Sequence, residues 1–363
     1  MGDKLHNPGE TLSARKREIL RRVLDHYISE VHPVSSQAVA TELNLSSATI
    51  RNELAALEEQ GFLRQPHTSG GRVPTDLAYR FLVEELVTRL SDTLSQRSRV
   101  SQVYSQLGSE TEALLEGTLD ILTEMTGYVA WVTLPAPTSL DIKSLNFVEV
   151  DRHELLLVLV TGAGLMQSRM LRVETPVKDL NLGLLAEQLN NYLRGRSVLD
   201  VDYSELNQIF QQTVQAPEHL LTALSDFFAG LAGRGERVQF GNALQLVLQP
   251  EFAQAGRLAG VMQALENKEA FAASLREHFT DAKLQTIIGS ENSHPLLQEC
   301  SLVLSRYQVA GSGGGTVGVL GPTRLMYART LPWVQAIGEA VAAALSELGD
   351  RPTPLRPREE ARG

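Results

Sequence analysis

One cysteine, Cys300, occurs in the 363 residues of this chain. A single thiol excludes an internal disulfide and any zinc cage built on cysteines. Cys300 stands in the apolar run CSLVLSRYQV, which predicts a buried, inert thiol and fits a reducing cytoplasm. No stretch approaches the roughly 20 uncharged apolar residues that a membrane span requires. The opening residues MGDKLHNPGE are polar, without the apolar segment of a secretory signal. Lysine is scarce, with 6 residues against 27 arginines. HExxH and GxSxG are both missing, and the eight histidines are scattered. Ser312-Gly313-Gly314-Gly315 has no GKS or GKT ending and lies between strand patterns, so it reads as a hairpin rather than a phosphate loop. The residues point to no enzyme, no cofactor and no metal.

Charge is unevenly spread. The net charge of −10 argues against a general polyanion binder. Yet residues 1–75 hold nine Lys/Arg and nine Asp/Glu and balance at zero, so the whole excess lies beyond them. A neutral head on an acidic body permits basic patches at the head and keeps the body away from a polyanion.

The head carries the most informative pattern. Ser13 is placed to cap a first helix with Ile19, Leu20, Val23, Leu24, Tyr27 and Ile28 on one face. Arg15, Lys16, Arg17, Arg21 and Arg22 lie largely on the other face, as a solvated surface or as phosphate contacts. Ser35 and Ser36 offer caps for a short second helix with Val39 and Leu43 inward. Asn44-Leu45-Ser46 makes a turn, and Ser46 caps a third helix in which Ile50, Leu54 and Leu57 recur at i, i+4 and i+7. That stripe fixes the opposite face as Ala48, Asn52 and Ala55, flanked by Ser47, Thr49 and Arg51. Asparagine pairs with adenine and arginine with guanine, while Ala and Thr methyls meet the thymine methyl. The alternative is a helix-turn-helix used for protein contact.

Gly61 then stops the helix, residues 62–65 form a strand, residues 66–71 a tip, and Arg72-Val73-Pro74 returns. Two helices at helix-turn-helix spacing followed by such a hairpin are the layout of a winged helix. Gly70 and Gly71 permit positive φ and close approach to a phosphate. His67, Thr68, Ser69 and Arg72 add donors at the tip. The candidate contacts to double-stranded DNA are therefore Ser36, Ser47, Ala48, Thr49, Arg51, Asn52, His67, Thr68, Ser69, Gly70 and Arg72.

The run HTSGGRVPTDLAYRFLVEEL, with VSSQAVATELNLSSATIRNELAALEEQGFL before it, resembles the HrcA family of heat-inducible transcription repressors. GVLGPTRLMYART at 318–330 is similar to that family's C-terminal signature, and IIGSEN at 287–292 to a third short motif. The family more often shows Ala at the place of Gly70 and Lys-Gly at that of Leu77-Ala78; neither departure falls on a residue assigned to base reading. The resemblance implies a homodimer that represses chaperone operons from an inverted-repeat operator and loses activity on heat stress. It also implies chaperonin as a partner, and neither a membrane nor a cofactor.

Beyond Asp76 a helix carries Tyr79, Leu82, Val83, Leu86, Val87 and Leu90, and residues 91–110 read as a polar helical linker. A further amphipathic helix includes Leu114, Leu115, Leu119, Ile121 and Leu122. Period-two patterns and short apolar runs at 128–134, 145–150, 155–160 and 166–173 predict an antiparallel meander, followed by a helix over 180–194. Residues 200–280 break that rhythm with helices at 203–214, 218–231 and 258–279 and strand-like 237–240 and 244–248. Strands return at 283–288, 300–309 and 316–320 before a helix over 333–348.

The expected class is multidomain α+β. It comprises a winged helix over 1–76, a linker over 77–110, an antiparallel-sheet domain split over 111–199 and 283–348, and a mainly helical insert over 200–282. The composition of 349–363 predicts a disordered tail. The family resemblance implies that the split domain is GAF-like and that the insert dimerises. Arg324, Tyr327 and Arg329 either line a small-molecule pocket, giving a ligand-gated winged-helix regulator, or fix an inter-domain contact. The second is favoured, because the stretch offers no complementary ligand group.

Overall fold

The computed structural model describes residues 12–66, 71–90, 96, 100, 104, 111–134, 141–161, 166–213, 218–232, 237–309 and 312–350. Three helices open it: α1 (Ala14–Glu30), α2 (Ser36–Leu43) and α3 (Ser47–Glu59). Each starts on a serine whose hydroxyl accepts an otherwise orphaned amide: Ser13 from Lys16, Ser35 from Ala38 and Ser46 from Thr49. Asn44 closes α2 in the left-handed region (φ 55°), a conformation its short polar side chain tolerates. Strands β1 (Leu63–Arg64) and β2 (Val73–Pro74) pair antiparallel, and Val34 bridges to Arg72 as a third strand of the wing.

Gly71 sits at that third strand, where a Cβ would collide with the Val34 carbonyl. Its φ is not in the positive region, so close backbone approach, rather than the expected turn geometry, is what requires glycine here.

Helix α4 (Asp76–Thr88) leaves the wing with Ala78, Tyr79, Phe81 and Val83 buried. Helix α5 (Thr111–Thr126) leads into β3 (Val129–Leu134). Next come β4 (Ile142–Asp151), β5 (Glu154–Thr161) and β6 (Met166–Arg172), then α6 (Leu182–Leu193), α7 (Tyr203–Thr213) and α8 (Glu218–Ala232). The chain continues through β7 (Arg237–Phe240), α9 (Ala255–Glu266), α10 (Lys268–Glu277), β8 (Leu284–Ile288), β9 (Cys300–Val309), β10 (Ser312–Pro322) and α11 (Tyr327–Asp350).

Two body sheets result. A five-stranded antiparallel sheet has the order β7-β3-β10-β9-β8, and β4-β5-β6 form a separate three-stranded sheet. Alternation along β3 splits the large sheet's faces: Ala130, Val132 and Leu134 join α5 and α11, while Val129 and Trp131 join α9 and α10. Phe271 meets Trp131 edge-on at 5.4 Å. The first of these cores runs without a break into the head, through Phe81 and Tyr79 to Leu57 and Leu24. A third core, from Ile142 to Leu231, belongs to β4–β6, α6–α8 and the turns between them. Cys300 is buried as expected, and burial pushes its thiol up to about 12.

The expected four-strand meander is therefore divided. β3 is buried on both faces and takes an interior position between β7 and β10, whereas β5, the middle strand of the smaller sheet, buries alternate side chains, so that sheet needs helices on one face only. The expected break between 199 and 200 falls inside the third core, and residues 237–282 pack against the large sheet. Residues 243–246 form a short 3-10 turn instead of a strand. The helix expected over 258–279 is two helices, divided at Asn267, whose side chain accepts the Ala270 amide.

Separate cores predict separable unfolding. Leu157→Ala, at a fully buried position of β5, is expected to cost about 2–5 kcal/mol. Native-state hydrogen exchange should then lose protection in β4–β6 while β9 keeps its own. Equal loss in β9 would show that the cores open together.

Candidate nucleic-acid interface

The turn between α2 and α3 is held by Leu45 donating its amide to the Ala40 carbonyl at 3.1 Å. Ile50, Leu54 and Leu57 are buried, so the orientation of α3 about its axis is fixed. Ala48, Arg51 and Asn52 are then exposed, and Ser47, Thr49 and Ala55 are half-buried beside them. Neither Arg51 nor Asn52 has a side-chain partner among the described residues, so both forks are available to base edges. The remaining hydroxyls are differently placed. Thr49 Oγ1 lies 2.8 Å from Ser46 Oγ at the cap, and Ser36 Oγ lies 3.3 Å from Ser47 Oγ. Ser36 and Ser47 thus join the starts of α2 and α3, Thr49 meets the cap of its own helix, and Ala48, Arg51 and Asn52 form the exposed face of α3.

The wing is tied to α3 by a residue whose part in it went unread in the sequence. One oxygen of Glu58 accepts the Gln65 amide at 3.1 Å, and the other lies 2.8 Å from Arg72 Nε. A single carboxylate on the last turn of α3 therefore grips both arms of the hairpin. Arg72, a candidate phosphate donor, places its guanidinium beside Glu58 while its backbone pairs with Val34. His67, Thr68, Ser69 and Gly70 lie outside the described residues.

The basic cluster of α1 also divides. Arg21 makes a two-armed contact with Glu85 of α4, at 2.7 and 2.5 Å, and a third with Glu18. Arg22 donates to Glu18 at 3.1 Å, and Arg17 donates to the Leu12 carbonyl. These three brace the head internally. Arg15 and Lys16 have no side-chain partner among the described residues, which leaves them for phosphate.

The comparison with known proteins adds the family. Residues 11–87 match the model of the winged helix-turn-helix transcription repressor HrcA DNA-binding domain, and residues 112–331 match that of the HrcA protein C-terminal domain. This chain belongs to the HrcA family. The heat-inducible transcription repressor HrcA of Thermosynechococcus vestitus is 33% identical to it, over 92% of this chain and 98% of that one. The same-named protein of Moorella thermoacetica is 34% identical over 93% and 99%. A crystal structure described as that of a hypothetical protein shares the fold at a TM-score of 0.64, with 22% identity over 93% of this chain and all 100% of that chain. Family membership makes the head a DNA-binding winged helix and the protein a transcription repressor of heat-inducible regulation.

Of the expected GPTRLMYART trio, Arg324 forks onto Glu251, reaches Gln249 Oε1 at 3.2 Å and donates to the Ile28 carbonyl of α1 at 3.4 Å. Tyr327 is fully buried and donates toward Ser301 Oγ and the Thr323 carbonyl. Arg324 thus fixes a contact between body and head, the favoured of the two readings. Among the described residues no three His, Cys, Asp or Glu are grouped to hold a metal, and no helix is long and apolar enough to cross a membrane.

Two expectations follow for the head. Asn52→Ala should cost about 1–3 kcal/mol on the specific site and blunt base preference, with little change on random duplex. Glu58→Gln removes a negative charge near the duplex, yet should weaken binding to specific and random DNA alike by about fivefold, because the wing comes loose. Tighter binding by Glu58→Gln in a titration would mean the carboxylate only repels.

Proposed function

We propose that the protein is a homodimeric repressor in which α3 of each subunit enters the major groove of one half-site of an inverted repeat. The observation that carries this reading is the exposed Ala48, Arg51 and Asn52 face on a helix whose other side is locked by Ile50, Leu54 and Leu57. Two-fold protein symmetry calls for a palindromic operator. The relatives are named heat-inducible, which supports placing that operator before heat-shock genes, chaperone operons first. Chaperonin is the proposed partner that keeps the repressor competent.

Support for the dimer comes from the outer face of β4–β6. Val148, Leu156 and Met170 stand in register across it, as do Val160 and Met166 on neighbouring strands. Val148, Val150, Met166 and Met170 are each about half exposed or more, on a sheet whose opposite face is packed by α6–α8. A contiguous apolar sheet face of this kind is an association surface. Heat release then needs no ligand: folding and association are small differences between large terms, so a few kcal/mol lost at the dimer contact empties the operator. A ligand-gated reading has less support, since Arg324 and Tyr327 are occupied by the protein itself.

A gel shift with an inverted-repeat chaperone promoter against scrambled DNA tests the core of the proposal. Preference for the promoter by about 1,000-fold is expected, and equal affinity would refute it. Met170→Glu should turn a sedimenting dimer into a monomer and cut operator affinity, while leaving the affinity for one half-site unchanged. A variant that stays dimeric would place the contact elsewhere. Operator affinity that persists unchanged well above growth temperature would rule out thermal release.

A further inference from the structure

The head meets the body through a polar joint with more directed bonds than simple docking needs. Asp76, the first residue of α4, accepts both the amide and the hydroxyl of Ser290, at 2.8 and 2.7 Å. Gly289 has φ +51°, and any Cβ there would collide with that carboxylate, so the body's backbone is shaped around it. One turn further along α4, Arg80 forks onto Glu291 and also donates to the Thr286 hydroxyl at 2.8 Å and the Thr286 carbonyl at 3.0 Å. Glu291 is itself oriented by the Ile288 amide at 2.8 Å. On α1, Arg324 reaches the Ile28 carbonyl from the body. Beneath these bonds Tyr79 packs against Tyr327, with ring centroids 6.1 Å apart.

The contact joins α4 to the 3-10 turn after β8, and α1 to the loop before α11. Three separated sequence blocks, PTDLAYR, IIGSEN and GPTRLMYART, converge on it. Hydrophobic burial alone would hold a head in place while allowing it to slide or tilt. Directed, charge-assisted bonds with fixed forks remove that freedom.

We infer that this joint acts as a ruler: it fixes the angle and distance at which each body presents its α3, and so selects operators by the separation of their half-sites. Asp76, Arg80, Ser290 and Glu291 are its positioning residues. The inference rests on the homodimer proposed above. Heads on loose tethers accept any spacing within reach, whereas heads held rigidly accept one helical phase. Inserting about 5 base pairs between half-sites turns one of them to the opposite side of the duplex, since a turn takes about 10.

The test uses the full chain with four duplexes: the operator at its own spacing, the operator lengthened by about 5 and by about 10 base pairs, and a single half-site. Wild-type protein should bind the half-turn insertion about 30-fold more weakly than the operator. Arg80→Ala and Asp76→Asn should shrink that ratio to about threefold while leaving half-site affinity unchanged. The body-side pair Ser290→Ala with Glu291→Gln, which leaves the head's own residues intact, should do the same if the α4 variants fold poorly. Variants that sediment as dimers yet discriminate spacing as sharply as wild type would overturn the ruler alone. Wild type that sediments as a monomer, and binds half-site and operator equally, would overturn the dimer reading and the ruler together.

Discussion

Helix α4 is the element on which the two halves of the molecule depend. It starts one residue after the wing closes and buries Tyr79, Phe81 and Val83 in an apolar cluster that contains both the head's Leu24 and Leu57 and the body's Val317 and Ile337. A reading head with its own closed core could tumble on its tether. Here removing α4 would open apolar surface on both sides, so the head is kept seated by the same burial that folds the body. The polar bonds of Asp76 and Arg80 then fix the angle at which the seated head sits.

Within the head the same division of labour recurs on a smaller scale. Ile50, Leu54 and Leu57 decide which side of α3 faces out, and three capping serines decide where each helix begins. Glu58 then decides where the wing lies relative to α3. An acidic side chain at the end of a DNA-reading helix is costly for binding unless it has a structural task. Its contacts with Gln65 and Arg72 supply that task and neutralise much of its charge.

Local pattern was enough to recover the head from the sequence. Its helices carry 3.6-residue stripes, its caps are adjacent in sequence to the amides they bind, and its turn residues are Asn and Gly. The contacts that tie elements together left no such trace. Arg21 and Glu85 are 64 positions apart, and Arg80 and Glu291 are 211 apart. No periodicity announces a pair of that kind, so Arg21 read as one more cation on a basic face. Strand partners were hidden for the same reason. Residues 129–134 and 155–160 are both short apolar runs in the sequence, and only the pairing of β3 with β10 and β7 separates them into different sheets. Asn267 caps a new helix inside a helical pattern that continues on both sides of it, so one long helix and two shorter ones read alike in the sequence.

The scarcity of lysine acquires a physical sense from these junctions. Arg21, Arg80 and Arg324 each place both arms of a planar guanidinium on one carboxylate from a distant segment, and Arg80 has donors left for Thr286. An ammonium group is a point charge that fixes distance but not direction. Substituting lysine at these three sites would keep the charge balance and the attraction while surrendering the angle between elements. For the dimer proposed above, which presents two reading helices in one geometry, the angle is the quantity that matters. Arginine at the joints is therefore a requirement of the geometry, whatever sets the frequency of arginine on the remaining surface.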